Sequence, residues 1–359
     1  MDKVGIGIIG TGGISNVFAT SLKRIACADI IACASPTLKH VKNFASVFDI
    51  KYCFQDYKNL LELEEVDLIV IGVPNYMHAQ VAIDAADAGK HVICTKPLCM
   101  NLREADAMIE RCKKAKVKLM YGDNICFSPK YVKLKKLCDS GALGDIFLLK
   151  QSSGHDGPPS GWFWDVSKSG GWATVDLGCH SFEFFRWFYN NRKIESIYAE
   201  MMNFNHKNKG KADDYSIILI NFSGGLKAIA EASWSKKGGF EDAAEVFGTK
   251  GTSYSLMPRG MTLDTYSDKA YYRDHYYSEE IKPGWSHTSY EEEWYYGFIQ
   301  MFEHFINCVK DLETPIITGE DGKSVMEMIF ASYDSASKFK KIFYPFNYKE
   351  EKPIDLFIK

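Results

Sequence analysis

"VGIGIIGTGGIS", residues 4–15, settles the first question of fold. Val4–Ile9 is an unbroken apolar run, as expected of a strand buried on both faces. Glycines follow at 10, 12 and 13, and Ile14, Val17, Phe18, Leu22 and Ile25 then recur at helical spacing. Strand, glycine turn and helix in that order fit the G-x-G-x-x-[small] pattern, with Gly10, Gly12 and Ser15 at the small positions. Gly10 permits the tight turn, and Gly12 lets a pyrophosphate approach the backbone. The helix start at Gly13 and Ile14 offers unpaired N–H groups and a partial positive charge. The spacing therefore implies a dinucleotide site.

Downstream, strands and helices keep alternating. "DIIACAS" reads as a buried strand and "TLKHVKNFASVF" as a helix capped by Thr37. "VDLIVIGVP" is a strand, and "NYMHAQVAIDAADAGK" a helix that stops at Gly89. Strand "HVICT", a helix capped by Asn101 and strand "VKLMYG" complete the series. Such alternation predicts a mostly parallel, doubly wound sheet.

Near residue 122 the texture changes. Longer alternating strands follow, "DIFLLKQSS", "KIESIYAEMMNF", "DYSIILINF", "LKAIAEASW" and "AAEVFGTKGTSYSL", with hairpin turns at "FSGGLKA" and "FGTKGT". The fold class read from this is α/β plus α+β. Residues 1–122 form a Rossmann domain with a doubly wound parallel sheet. Residues 123–359 form a domain of open, mainly antiparallel sheet covered on one face by helices at 173–189, about 291–311 and 320–338.

The 359 residues suffice for two cores, and 46% hydrophobic with 25% charged residues is ordinary for a globular protein. A net charge of -3 argues against nucleic acid or an anionic membrane as partner. The apolar runs are strand-sized, and Met1-Asp2-Lys3 lacks a signal-peptide pattern, so a cytoplasmic protein is expected. Ten cysteines occur singly with no C-x-x-C pair, which predicts reduced core thiols and no metal site.

The second strand ends in Ser35 where an acid would bind a ribose 2′-OH, and no arginine stands beside it for a 2′-phosphate. The choice between NAD and NADP stays open. "GVPNYMH" puts Pro74, Asn75 and His78 at the carboxyl edge of the sheet, facing the cofactor or capping the next helix. "HVICTKPL" puts Lys96 at the same edge, before a Pro97 whose bond could be cis. Further on, "GGWATVDLGCHSFEFFRWF" (170–188) carries Asp176 and His180 four apart, hence on one helix face. An aspartate there can fix the tautomer of an imidazole whose other nitrogen takes a hydroxyl proton. A nearby ammonium such as Lys96 would favour alkoxide-like charge.

These motifs, with "AGKHVICTKP", "FSPKYVKLKKLCDSGALGDI" and "TGEDGKSVMEMIFASYDSA", resemble the glucose–fructose oxidoreductase / inositol dehydrogenase / rhizopine-catabolism family, Gfo/Idh/MocA, over nearly the whole chain. The resemblance implies an NAD(P)-dependent dehydrogenase of a sugar-like secondary alcohol, with Lys96, Asp176 and His180 as catalytic group. Glycoside 3-oxidation, redox-neutral glycosidase chemistry and plain nucleotide sensing are the variants it leaves. Thr95 and Cys126 depart from the family's usual Glu and Arg. Asn124, and His155, Trp162 and Trp164 in the loop "SSGHDGPPSGWFWDVSKSGG", are candidate substrate contacts, since aromatic faces stack on sugar rings. By the same resemblance, a homodimer or homotetramer through the C-terminal sheet is expected.

Overall fold

The computed structural model describes residues 3–237, 239–257, 262–267, 284–289 and 291–358. They divide into two compact units, Met1–Ser128 with Tyr296–Ser324, and Pro129–Tyr295 with Val325–Lys359.

In the first unit, β1 (Val4–Ile9), β2 (Ala28–Ala34), β3 (Tyr52–Phe54), β4 (Leu68–Ile71), β5 (His91–Thr95) and β6 (Leu119–Gly122) form one sheet in the order β3-β2-β1-β4-β5-β6. Every neighbouring pair is parallel. All residues of β1 and β4 are buried, which is why both read as unbroken apolar runs. The strand order reverses between β1 and β4, the place where open parallel sheets bind ligands. Helix Leu102–Ala115 starts with a reciprocal cap: Asn101 accepts the Glu104 N–H at 3.0 Å, and Glu104 accepts the Met100 N–H at 2.8 Å. Thr37 does hold the cap position of helix Leu38–Phe48, without a side-chain hydrogen bond.

One helix sits elsewhere than the sequence suggested. Phe298–Val309, expected on the antiparallel sheet, packs in the first unit, where Phe302 meets Phe18 edge-on at 5.3 Å. Its buried stripe of Phe298, Met301, Phe302, Phe305 and Ile306 was legible, but a stripe does not say what covers it. The segment expected as one domain over 123–359 therefore gives residues 123–128 and 296–324 to the first unit. The short edge strand β3 had no apolar run to announce it; its three residues are half-buried.

The second unit holds β7 (Ile146–Gly154), β8 (Ile194–Met202), β9 (Tyr215–Phe222), β10 (Lys227–Ser233), β11 (Glu241–Gly248), β12 (Gly251–Met257), the pair β13 (Thr262–Ser267) and β14 (Gly284–Ser289), and β15 (Ile342–Phe343). Seven of these make one sheet in the order β12-β11-β7-β10-β9-β8-β15. It is antiparallel except at its centre, where β10 runs parallel to β7. Alternate residues such as Leu149, Ile218, Ile220, Ala228 and Ala230 are buried beneath helices, among them Cys179–Phe188 on β7 and β10. On the other face lie Lys150–Glu245 and Lys236–Glu231 ion pairs beside the exposed Ile217 and Tyr254. None of the ten cysteines, all among the described residues, forms a disulfide. Among the described residues, no helix is long and apolar enough to cross a membrane.

Candidate functional site

The glycine loop uses its glycines in two ways. Gly10 has φ +100°, and a Cβ there would lie 2.3 Å from the Gly72 carbonyl oxygen, so the turn itself demands glycine. Ser15 is fully buried, and its Oγ would lie 2.5 Å from a Cβ at Gly72; a small helix residue and a glycine on β4's end bring helix and strand together. Gly12 and Gly13 are different. A Cβ at either would meet no chain atom within 4 Å. The fold does not require those glycines, and they border open space at the N-terminus of helix Gly13–Leu22. That helix has no acidic residue in its first turn to oppose an anion at its backbone N–H groups. A cradle of this kind fits the pyrophosphate of a dinucleotide. Ser35, half-buried, directly follows β2, with its N–H on the Phe54 carbonyl at 3.0 Å.

Beyond β4, Pro74 caps the short turn Asn75–Met77, so Asn75 is its buried first residue rather than its cap. His78, expected at the nucleotide, is corrected by the geometry. It is fully buried, with Nδ1 2.8 Å from the Pro97 carbonyl oxygen and Nε2 2.9 Å from that of Val73. Burial pushes its pKa below the usual imidazole range, against the pull of those carbonyls. Both ring nitrogens face backbone carbonyls of the loops after β4 and β5, the neutral ring donating its one N–H to one of them, so neither nitrogen is turned to a cofactor. The loop after β5 carries Lys96, half-buried, before a cis Lys96–Pro97 bond. Asn124 donates its amide to the Tyr296 carbonyl at 2.8 Å.

In the second unit, the segment with Asp176 and His180 begins as a π-helical turn, Thr174–Gly178, and continues as the α-helix Cys179–Phe188. Such turns often occur at functional sites. Buried Asp213 holds its start: Oδ2 accepts the Thr174 N–H at 2.8 Å, and Oδ1 accepts the Tyr333 hydroxyl. One turn on, Ser181 donates to Gln151 Oε1, Gln151 donates to Asp242 Oδ1 at 2.7 Å, and Tyr131 donates to the same oxygen at 2.6 Å. This chain of buried hydrogen bonds fixes the helix on β7 and β11.

Asp176 is 7% exposed. Its Oδ2 accepts the indole N–H of Trp234 at 3.0 Å, and His155 Nε2 lies 3.5 Å from the same oxygen. Trp234 was not among the residues anticipated, because no motif surrounds it. His180, half-buried, stands four residues further along. The two loop tryptophans diverge. Trp164 is packed among Trp172 at 5.2 Å, Trp234 at 5.1 Å and His206 at 4.9 Å. Trp162 stacks on Phe163 alone among those rings, at 3.8 Å.

Residues 4–123 match the GFO/IDH/MocA family model described as an oxidoreductase family with an NAD-binding Rossmann fold, and residues 131–254 match its C-terminal domain. The chain is 28% identical over 342 residues to myo-inositol 2-dehydrogenase of Thermotoga maritima, covering 94% of this chain and 97% of that protein. It is 30% identical over 322 residues to the oxidoreductase YrbE of Bacillus subtilis, covering 88% and 89%. Among solved structures, GenD2 from gentamicin A biosynthesis, in complex with NAD, shares the fold with a TM-score of 0.89 at 24% identity, over 96% of this chain and 97% of that one.

Proposed function

The chain belongs to the Gfo/Idh/MocA family of NAD(P)-dependent oxidoreductases acting on CH–OH groups, and from that premise we propose that it oxidises a secondary hydroxyl of a cyclic polyol or sugar-like ring. The observation that carries the reading is the placement of Asp176 in a π-helical turn and of His180 at the start of the α-helix that continues it, a segment held by hydrogen bonds at Thr174 and Ser181. An inositol is the substrate named for the Thermotoga relative; a pyranoside offers the same ring carbinol, and glycoside 3-oxidation is the finer form of the same chemistry.

His180 takes the hydroxyl proton, Asp176 holds its ring, and Lys96 orients and polarises the oxygen. The nicotinamide, when bound, supplies the hydride acceptor. Gly12, Gly13 and Ile14 hold the pyrophosphate on the helix N-terminus, Gly10 shapes the turn, and Ser35 meets the adenosine ribose. Pro74, Asn75 and Lys96 border the nicotinamide end, while His78 acts only by holding the Lys96 loop. Trp162 is the aromatic residue offered to substrate, together with His155 and Asn124; Trp164, equally half-buried, has its ring set against those of Trp172 and Trp234. The face of the seven-stranded sheet that carries the exposed Ile217 and Tyr254 is where copies pair as a homodimer or homotetramer, in the cytoplasm. The test is a panel of inositols, free sugars and glycosides, each with NAD and with NADP, read by reduced nicotinamide. Reduction with at least one ring polyol is expected; no reduction with any member contradicts the reading.

A further inference from the structure

Trp234 directly follows β10 and lies outside every motif read from the sequence. It is fully buried. Its ring stacks with Trp172 at 5.8 Å and 25° and meets Trp164 at 5.1 Å and Phe163 edge-on at 6.3 Å. Its backbone N–H is tied to the Asp214 carbonyl at 2.8 Å. Asp214 is itself held, its carboxylate accepting the N–H groups of Phe204, Asn205 and His206. The indole is thus clamped through its faces, its edge and its own main chain. From this fixed position its N–H reaches Asp176 Oδ2 at 3.0 Å.

Packing alone does not call for that nitrogen. A phenylalanine would fill an apolar slot without a polar atom to satisfy, whereas a buried indole N–H needs an acceptor. The acceptor here is the carboxylate four residues before His180. A carboxylate that selects one tautomer and orientation of an imidazole does so only if its own rotamer is set. We infer that Trp234 is a positioning residue: its indole N–H fixes the Asp176 carboxylate and, through it, the ring of His180. His155 belongs to the same arrangement, with Nε2 3.5 Å from Asp176 Oδ2 and its ring stacked against Trp234 at 6.4 Å. The inference rests on the proposed roles of Asp176 and His180.

The test is a double-mutant cycle of Trp234→Phe and Asp176→Asn, with myo-inositol and NAD as probes. Trp234→Phe should lower kcat by about 10–100-fold, the range met when an outer hydrogen-bond partner of a functional ligand is removed. KM for the polyol and the melting temperature should barely move. In the Asp176→Asn background the same change should cost less than about twofold more, because the carboxylate through which Trp234 acts is already gone. Additive losses, or wild-type kcat in Trp234→Phe, would overturn the inference. Wild-type kcat in Asp176→Asn alone, or no turnover of any polyol by the unmodified enzyme, would instead overturn the reading beneath it. A readout without turnover uses protein carrying 15N in its indoles. The Trp234 N–H signal should shift more than any other indole on Asp176→Asn, since a bond to a charged oxygen is the shorter and stronger one. A Trp234 signal that stays in place contradicts the inference even if Trp234→Phe fails to fold.

Discussion

Around Gly12 a Cβ would find no chain atom within 4 Å, whereas Asp176 is 7% exposed and already accepts a hydrogen bond from a tryptophan 58 residues along the chain. Both belong to the proposed machinery, yet they are built in opposite ways. The glycine loop leaves space, and its work is done by backbone groups that any sequence would carry once the turn is made. The Asp176 neighbourhood fills its space with rings and buried polar chains, and its work is done by side chains whose orientation depends on their neighbours. A substitution in the loop should therefore act on ligand binding and spare the fold. One in the packed region should act on turnover, on stability, or on both.

The largest effect should fall on the chemistry. His180→Ala and Lys96→Ala should each lower kcat by ~10²–10⁴, as usual for general acid–base groups, in steady-state assays at saturating polyol. Nucleotide affinity, measured alongside by calorimetry, should survive in His180→Ala. Near-wild-type kcat in either variant removes that residue's role.

Next comes the loop. Gly12→Val should reduce NAD and NADP binding more than tenfold, because the added side chain occupies the space a pyrophosphate needs. Its melting temperature should stay close to wild type, since a Cβ at that position borders open space. Gly10→Ala should lose stability, with a Cβ forced to 2.3 Å from a carbonyl at φ +100°. Equal melting losses in both variants would erase the contrast between a glycine kept for a ligand and one kept for a turn.

The loop tryptophans sharpen the packed side. Trp164→Ala removes a half-buried ring set between Trp172, Trp234 and His206 and should cost stability in denaturant unfolding, below the about 3–5 kcal/mol of a fully buried tryptophan. Trp162→Ala should cost far less stability. It should lower kcat/KM several-fold more for an aryl glycoside than for a free sugar, as expected for a stacking contact of ~1 kcal/mol. Equal losses on both substrates would make Trp162 a packing residue as well.

The smallest effect concerns a half-buried acid beside another acid. Burial and the neighbouring Glu293 lift the Glu292 carboxyl to about 7. Across the window from its usual value up to about 7, the folded state holds a proton that the unfolded state has lost. Stability therefore falls as pH rises through that window. Glu292→Gln should melt above wild type at roughly pH 8 and level with it at roughly pH 4. The reverse order at high pH contradicts the assignment.

How much of this was legible followed sequence distance. The glycine loop is a local pattern, and strand, turn and helix could be read within twelve residues. The parallel sheet followed from repeated local alternation, and the hairpins joining β9 to β10 and β11 to β12 from their glycine turns. The Asp176–His180 spacing was legible too. What escaped were partnerships across the chain. Nothing near His78 reveals that Val73 and Pro97 occupy its ring. Nothing near Phe302 reveals Phe18, and nothing near Asp176 reveals Trp234. A stripe or a motif states that a residue will be buried or used; tertiary packing decides by what.

The central claim, oxidation of a ring carbinol with His180 removing the hydroxyl proton, is tested most directly by isotope transfer. A polyol turned over by the enzyme is prepared with deuterium on the reacting carbon, and the reduced cofactor is examined by NMR after reaction of wild type and of His180→Ala. The account predicts deuterium at nicotinamide C4 with the wild-type enzyme, in amount equal to the ketone formed, and little in His180→Ala. Deuterium retained in the sugar with release of an aglycone, or equal transfer by both proteins, would contradict it.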